Sequence, residues 1–289
     1  MRTALLSERS RSAHTKENIM KTISPTPHLD VNEILNLLFS NGKEILGEQF
    51  VGMYLFGSLA NGDFDQHSDI DVLVVTKDEI SNDMFSSLQT MHARVADIDS
   101  SEATQLEASY IPQKALRRFD PANILHPHID RGRGESLHWM AHESDWIIQR
   151  HILRERGIIL EGPAPQSLID HISASDLQKA VVDVLPLWAT PILEDPLRIK
   201  SRGYQSFVVL SLCPMLYTLQ CGTIISKRAA TDWAQDALSK QWTPLIARAW
   251  LGRQNAGLDA QPEDVDGTLN FIRFAMEYSR KMEDPKYEL

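Results

Sequence analysis

The sequence predicts an α+β protein, in which a small domain with a mixed β-sheet is followed by an all-α helical bundle. Two observations support this prediction. Short apolar runs typical of strands alternate with helical patterns in the first half of the chain, whereas the second half has helical spacing throughout. With 289 residues and a hydrophobic content of 43%, the chain is long enough for two domains, each with its own core.

The predicted domain boundaries lie where the composition changes. Residues 1–28 are polar and end in Ser-Pro-Thr-Pro, which predicts a disordered tail, with Met20 as an alternative start. The sheet domain is predicted over residues 29–138 and the helical bundle over residues 139–289.

Helical and strand patterns follow one another in the sheet domain. Apolar residues at helical spacing predict a first helix over 29–45, with Asp30 as a possible N-cap. The later elements are predicted as strands over 50–56, 68–75 and 105–111 and a helix over 82–96. Residues 119–138 are rich in Pro, Gly, His and Arg, and we expect a long functional loop there.

The second half is predicted to form a bundle of about five helices after a connecting helix. Ser175 and Ser226 are candidate caps for two of these helices. The helical segments are predicted over residues 140–156, 176–190, 203–221, 226–239, 242–254 and 264–282.

The charge balance excludes one class of function and favours another. The formal net charge is −10, and sequence-independent binding to nucleic acid needs clustered Lys and Arg, so we expect no nucleic-acid partner. An acidic surface attracts a small cationic substrate instead.

Cysteine usage and hydropathy predict where the protein works. Cys213 and Cys221 are about 12 Å apart along a predicted helix, too far for a disulfide, and we expect both to be reduced core residues. No apolar run reaches the ~18 residues that a membrane span needs, and charges interrupt the N-terminal segment where a signal peptide would need an apolar stretch. We therefore expect a cytoplasmic protein without a membrane partner, and separately we expect a monomer.

The segment from residue 57 to residue 75 contains the candidate residues for binding phosphate and a metal ion. Gly57 at the end of a predicted strand lets the backbone approach a ligand, and Ser58 can open a helical turn whose free N–H groups bind phosphate. Asp69 and Asp71 are two positions apart on the next strand, so both carboxylates are expected on one face. Such a pair repels unless a cation lies between them, and Mg²⁺ prefers these oxygen ligands.

The Gly-Ser, spacer and Asp-x-Asp order resembles the nucleotidyltransferase superfamily of polymerase β. That family usually adds a third carboxylate from a later strand, so the resemblance implies one here. Glu107 lies in a predicted strand and Asp99 in a predicted turn, and we choose Glu107. In the second half, Tyr-Thr-Leu at residues 217–219, Gly222, Ser226-Lys227, Ala229-Ala230 and Trp233 appear in an order similar to the helical domain of the aminoglycoside 3″/9 adenylyltransferases. The resemblance covers most of residues 50–240. It implies transfer of AMP from ATP to a hydroxyl of a streptomycin- or spectinomycin-type acceptor, with two Mg²⁺ ions and release of pyrophosphate.

The resemblance also implies residue roles. Gly57, Ser58 and Lys227 would contact the triphosphate, Asp69 and Asp71 would hold Mg²⁺, and Glu107 would be a metal ligand and the catalytic base. Two positions depart from the family. Pro214 stands where the family has an ATP-contacting Arg, and Tyr204 or Gln205 where it has an acidic residue that binds the drug.

The loop over residues 119–138 offers replacements for the missing Arg. Arg131 or Arg133 could reach the phosphates in its place, and Trp139 is the candidate for the family's stacking Trp. Two other functions remain open: adenylylation of a protein or another small acceptor, as in antitoxins of this superfamily, and ATP binding without turnover.

Overall fold

The computed structural model describes residues 23–283, and the α+β fold with a mixed sheet and a C-terminal helical domain is confirmed. Residues 1–22, including Met20, lie outside the described residues, as do residues 284–289. No helix in the described part of the chain is both long and apolar enough to cross a membrane.

The sheet has six strands in the order β5-β4-β3-β2-β1-β6. The strands β2 and β3 run parallel, and every other neighbouring pair is antiparallel. Their bounds are β1 Phe50–Leu55, β2 Ile70–Thr76, β3 Leu106–Pro112, β4 Leu125–Ile129, β5 His138–Ala141 and β6 Ile158–Glu161.

Eleven α-helices complete the described fold. Helices α1 and α3 cover one face of the sheet, and α5 packs on the other face beside α4 and α6, while α7 to α11 form the bundle. Their bounds are α1 Leu29–Leu46, α2 Gly57–Asn61, α3 Asn82–Ala96, α4 Gln113–Arg117, α5 Asp145–Arg156, α6 Pro165–Leu168, α7 Ala174–Glu194, α8 Arg202–Cys221, α9 Lys227–Ala237, α10 Thr243–Gly252 and α11 Pro262–Glu283.

The last residues of the predicted tail are packed against α1. Ile23 is buried, its N–H donates to Asn36 Oδ1 at 2.7 Å, and Asn36 Nδ2 donates back to the Ile23 carbonyl at 2.7 Å. The helix begins after His28, so Asp30 lies in the first turn rather than at the N-cap. An acidic residue there still favours the helix through the helix dipole.

The prediction that residues 119–138 form a loop was wrong, because this segment contains β4 and the first residue of β5. Pro127 has no N–H for a strand ladder and hides the strand pattern, while His126 and His128 flank it as polar residues. Both histidines are nonetheless buried, since they pack against the ring of His142.

Two helix starts also differ from the prediction. The segment at Met140 belongs to β5, and α5 begins only at Asp145. Helix α7 is capped by Ser173 rather than Ser175, in a reciprocal pair of hydrogen bonds with Asp176. Two strands of the sheet, β5 and β6, thus lie at or beyond residue 138, and the domain boundary at that residue stays a prediction.

The two cysteines differ in their surroundings. Both are free, and Cys213 is buried as expected. Cys221 is exposed at the end of α8, so its assignment to the core was wrong, because the helix turns this last residue away from the bundle.

Candidate active site

Gly57 and Asp71 are in such close contact that only a glycine fits at position 57. Phe56 alone separates Gly57 from the end of β1, Gly57 has φ +62°, and a Cβ there would clash with Asp71 Oδ2. The Phe56 N–H donates to the Asp71 backbone carbonyl at 3.2 Å, which fixes the turn against β2. Both the left-handed backbone and the space therefore require glycine.

Ser58 supplies an unused hydroxyl group beside this turn. Its Oγ is buried and has no hydrogen-bond partner within residues 23–283. It lines a cleft of about 390 Å³ between the sheet and the bundle, together with Gly57, Asp69 and Asp71. A buried hydroxyl without a partner is costly, and a ligand oxygen in the cleft would satisfy it.

Three carboxylates lie close together, and two of them, Asp69 and Asp71, line the cleft. Asp71 lies on β2 and is paired in register with Glu107 on β3. Asp69 lies one residue before β2, not within it as expected, and forms an ion pair with Arg131. The structure therefore brings the predicted acidic residues together.

Burial raises the pKa of all three carboxyl groups, and repulsion from neighbouring carboxylates adds to the effect for Asp71 and Glu107. For Asp71, loss of water raises the pKa well above its usual range, and Glu107 and Asp69 raise it further. Burial raises the pKa of Glu107 to about 7, with Asp69 and Asp130 adding to the effect. Burial also raises the pKa of Asp69, although Arg131 and Lys227 oppose this.

These groups fit a divalent cation by their chemistry. Hard carboxylate oxygens that repel one another are the ligands that Mg²⁺ takes, and a cation would relieve the repulsion that raises the Asp71 pKa. Within residues 23–283, no three His, Cys, Asp or Glu side chains are already arranged to enclose a metal ion. The cluster thus offers an open set of donors rather than a closed cage.

Lys227 approaches the cluster from the bundle. It is the first residue of α9, which Ser226 caps by accepting the Ala229 N–H at 3.2 Å, as predicted. Its Nζ lies 5.4 Å from the centre of the Phe207 ring. The side chain keeps surface exposed to the cleft, yet loss of water lowers the pKa of Lys227, and Asp69 partly offsets this.

A second cleft of about 530 Å³ lies beside the first. The two clefts share four lining residues: His67, Asp69, Lys227 and Arg253. Arg131 and Arg133 line only the second cleft, which therefore has four cationic side chains and one carboxylate.

Arg253 and Trp250 are site residues that sequence reasoning missed. Arg253 forms an ion pair with Asp65 and lines both clefts, and its guanidinium lies 4.9 Å from the centre of the Trp250 ring. No short motif marks either residue. Only the fold brings Arg253 to the Gly-Ser segment, 188 positions away from Asp65.

The structure shows where the two positions that depart from the family lie, and where the candidate stacking residue Trp139 lies. Pro214 lies within α8 and lines the first cleft, and Tyr204 stacks on Phe207 with ring centres 5.8 Å apart. Trp139 stacks on Phe85, with ring centres 5.6 Å apart, and lines neither cleft. Its role as the stacking residue of the site stays a prediction.

Comparison with known proteins gives two family matches. Residues 40–125 match the nucleotidyltransferase domain, and residues 167–275 match the C-terminal domain of aminoglycoside adenylyltransferase.

Among curated proteins, a spectinomycin 9-adenylyltransferase from Staphylococcus aureus is 28% identical over 222 residues, which cover 73% of this chain and 80% of that protein. An aminoglycoside (3″) (9) adenylyltransferase from Escherichia coli is 25% identical over 244 residues, covering 77% of this chain and 86% of the relative. Among solved structures, a spectinomycin adenyltransferase from Enterococcus faecialis, crystallised with ATP and spectinomycin, superimposes with a TM-score of 0.67. That match has 19% sequence identity and covers 85% of this chain and 98% of the other, which shows a common fold.

Proposed function

The chain joins a nucleotidyltransferase domain to an aminoglycoside adenylyltransferase C-terminal domain and is a nucleotidyltransferase of that type, and we propose that it transfers AMP from ATP to a hydroxyl of an aminoglycoside-like acceptor. The acceptor is of the streptomycin or spectinomycin type, and pyrophosphate is released. The observation that carries the proposal is the contact of Gly57 with Asp71, which lines the cleft and is paired in register with Glu107.

The Gly-Ser turn and Lys227 would hold the triphosphate. Ser58 has a free buried hydroxyl, and the absence of a side chain at Gly57 leaves the phosphate room near the backbone. Lys227 adds a positive charge from the opposite wall. Arg131 and Arg133 extend this charge along the second cleft, towards the phosphates that leave.

Asp69 and Asp71, with Glu107, would hold Mg²⁺, two ions in all. When bound, Mg²⁺ neutralises charge on the phosphates and positions them for in-line attack. The residues' own contribution is to gather three oxygen ligands whose repulsion a cation relieves.

Glu107 would accept the proton of the acceptor hydroxyl. Without a bound cation, burial and the neighbouring carboxylates raise the pKa of Glu107 to about 7, which makes its carboxylate a stronger base than that of an ordinary glutamate. The pairing of β3 with β2 and β4 on either side fixes the strand that carries Glu107. Positioning of the reactants therefore supplies most of the remaining rate enhancement.

The acceptor would be small, cationic and hydroxylated. The net charge of −10 attracts cations over long range, and the carboxylates at the cleft would face them at short range. We propose that the enzyme acts as a monomer, in the cytoplasm, without nucleic acid or membrane.

Mass spectrometry of the acceptor tests this function. The protein is incubated with ATP, Mg²⁺ and either streptomycin or spectinomycin, and each drug is examined for an added AMP group. An AMP adduct on either drug supports the proposal. No adduct on any aminoglycoside, together with AMP-labelled protein in a cell lysate, would contradict it and favour a protein acceptor. ATP binding without any adduct would favour a protein that binds ATP without turnover.

A further inference from the structure

We propose that Arg253 is a phosphate-binding residue of the nucleotide site, presented by Trp250 and Asp65 to the polyphosphate of ATP and to the pyrophosphate released. This inference rests on the proposed function for the identity of the anion. Its support is the position of Arg253, its remaining hydrogen-bond donors and the charge of the walls around it.

Arg253 stands where the two clefts meet. It begins the short turn Arg253–Asn255 after α10, and its side chain is 20% exposed. Together with Lys227 it lines the first cleft opposite Gly57 and Ser58, and the second cleft beside Arg131. An anion at the Gly-Ser turn would therefore face both cations of the bundle.

The guanidinium keeps donors for a ligand. Arg253 Nη1 lies 2.8 Å from Asp65 Oδ2, and Nη2 donates to Asp65 Oδ1 at 2.9 Å. These two contacts use two of the five N–H donors of the fork, and among residues 23–283 Asp65 is its only hydrogen-bond acceptor. Three donors remain, in a planar geometry that suits phosphate oxygens.

Two neighbours hold the fork in place. Asp65 Oδ1 also accepts from the His67 N–H at 2.9 Å and from Ser68 Oγ at 3.1 Å, so its carboxylate is itself oriented by the turn. On the other side the Trp250 ring lies 4.9 Å from the Arg253 guanidinium carbon. A guanidinium fixed in this way loses little conformational freedom when it binds an anion.

The surrounding charge calls for an anion. The second cleft contains four cationic side chains and the single carboxylate of Asp69, although the whole protein has a net charge of −10. Arg253 and Lys227 are near enough for the positive charge of Arg253 to help lower the pKa of Lys227. Their repulsion disappears when an anion lies between them.

The alternative role for Arg253 is purely structural, as one half of an ion pair that links the bundle to the sheet domain. In that role its pairing with Asp65 would keep α10 near the Gly-Ser segment, and any loss of ligand binding would follow from an opened cleft. The two roles differ for a ligand without phosphates, since an opened cleft would bind adenosine poorly whereas a lost phosphate contact would not affect it.

Binding constants for ATP, sodium pyrophosphate and adenosine, measured by calorimetry on the full chain, separate the two roles. Arg253→Ala is expected to weaken the binding of ATP and of pyrophosphate about tenfold, as for the loss of a charge-assisted hydrogen bond. The dissociation constant of adenosine is expected to stay within about twofold of the wild-type value. Arg253→Lys is expected to recover part of the loss, because it keeps the charge without the fork. If Arg253→Ala does not fold, the Arg253→Lys variant gives the same comparison at smaller amplitude.

Arg228→Ala is the matched control. Arg228 lies on the same Trp250 ring, also 4.9 Å from its centre, and pairs with Asp232, but it lines neither cleft. Its removal is expected to leave all three binding constants unchanged. Asp65→Asn is expected to lower the melting temperature. It is expected to weaken the binding of pyrophosphate less than Arg253→Ala does.

The proposal would be overturned if Arg253→Ala weakened the binding of ATP and of adenosine equally. It would also be overturned if Asp65→Asn and Arg253→Ala lost the same affinity for pyrophosphate, or if Arg253→Ala lost no affinity at all. The proposed function can fail separately. A wild-type protein that binds ATP and pyrophosphate through Arg253 but modifies no acceptor would contradict only the function, while one that binds neither anion contradicts both.

Discussion

Asp71 and Glu107 lie directly opposite one another in the register of β2 and β3, the parallel pair of strands at the centre of the sheet. Neighbouring strands are about 4.8 Å apart, so the two residues lie side by side. Burial raises the pKa of Asp71 most, and the Glu107 carboxylate raises it further. The pairing places Glu107 beside Asp71, a proximity that its position in the sequence does not reveal.

Glu107→Gln is expected to lower the turnover number by about 10²–10⁴-fold, because the amide cannot accept the proton of the acceptor hydroxyl. The dissociation constant of ATP is expected to stay within about twofold, since Gln keeps the size and the strand position. Steady-state kinetics and calorimetry measure the two quantities. Asp99→Asn, at the alternative carboxylate, serves as the control with normal turnover, and unchanged turnover in Glu107→Gln would rule out its role as the base.

Gly57→Ala is expected to abolish ATP binding while most of the fold survives. A methyl group at this position would clash with the Asp71 carboxylate and would also strain a backbone with φ +62°. Gly62→Ala separates the two effects, because Gly62 has φ +75° but nothing within 4 Å of the added carbon. Thermal melting and ATP binding compare the variants, and normal ATP binding by Gly57→Ala would contradict the geometry.

Arg131→Ala and Arg133→Ala are each expected to weaken ATP binding about three- to tenfold, if these side chains reach the departing phosphates along the second cleft. For Arg131 the change also breaks the ion pair with Asp69. Equilibrium dialysis with labelled ATP measures the effect. Arg94→Ala, on α3 and away from both clefts, is the control, and ATP binding as tight as in that control would remove both arginines from the site.

The protein is expected to lose stability as the pH falls below about 6.5, because buried histidines stay neutral in the folded state. Burial lowers the pKa of His142 to about 2, helped by His126 and His128, and neither ring nitrogen of His142 has a hydrogen-bond partner in the described structure. The unfolded chain binds a proton there below pH 6.5 and the folded chain does not, so acid favours unfolding. The cost is about 1.4 kcal/mol per pH unit for each such group.

His142→Phe removes one of these groups while keeping an aromatic ring to stack on Trp146, which lies 3.8 Å from the histidine ring. Urea unfolding at pH 7.5 and pH 5.5 is expected to show a smaller difference in the free energy of unfolding for the variant, by about 1.4 kcal/mol. His171→Phe, at an exposed position, is the control. The same pH difference in His142→Phe and the wild type would refute the explanation.

The sequence predicted the elements whose pattern is local. The Gly-Ser turn, the start of α9 at Ser226 and the placement of Glu107 on a strand each depend on residues within a few positions of one another. The spacing from Gly57 to Asp71 brings these two residues together, because β1 and β2 are antiparallel neighbours and the turn between them folds back on itself.

The parts that the sequence did not reveal depend on distant residues. Strand β4 was hidden because Pro127 and its flanking histidines carry no strand pattern, and its burial comes from His142 in a later segment. Strand β6 has only four residues and joins the sheet at the edge beside β1. Arg253 reaches the site across 188 positions of sequence, a distance that no local motif spans.

Pyrophosphate release tests the central claim most directly. The wild-type protein and Asp71→Asn, a variant of the same size at the centre of the carboxylate cluster, are compared in Mg²⁺ and ATP with streptomycin or spectinomycin. We predict release by the wild type that depends on one of these drugs, and its loss in Asp71→Asn at an unchanged far-ultraviolet circular dichroism spectrum. Equal release by both proteins, or no release with any aminoglycoside, would contradict the account.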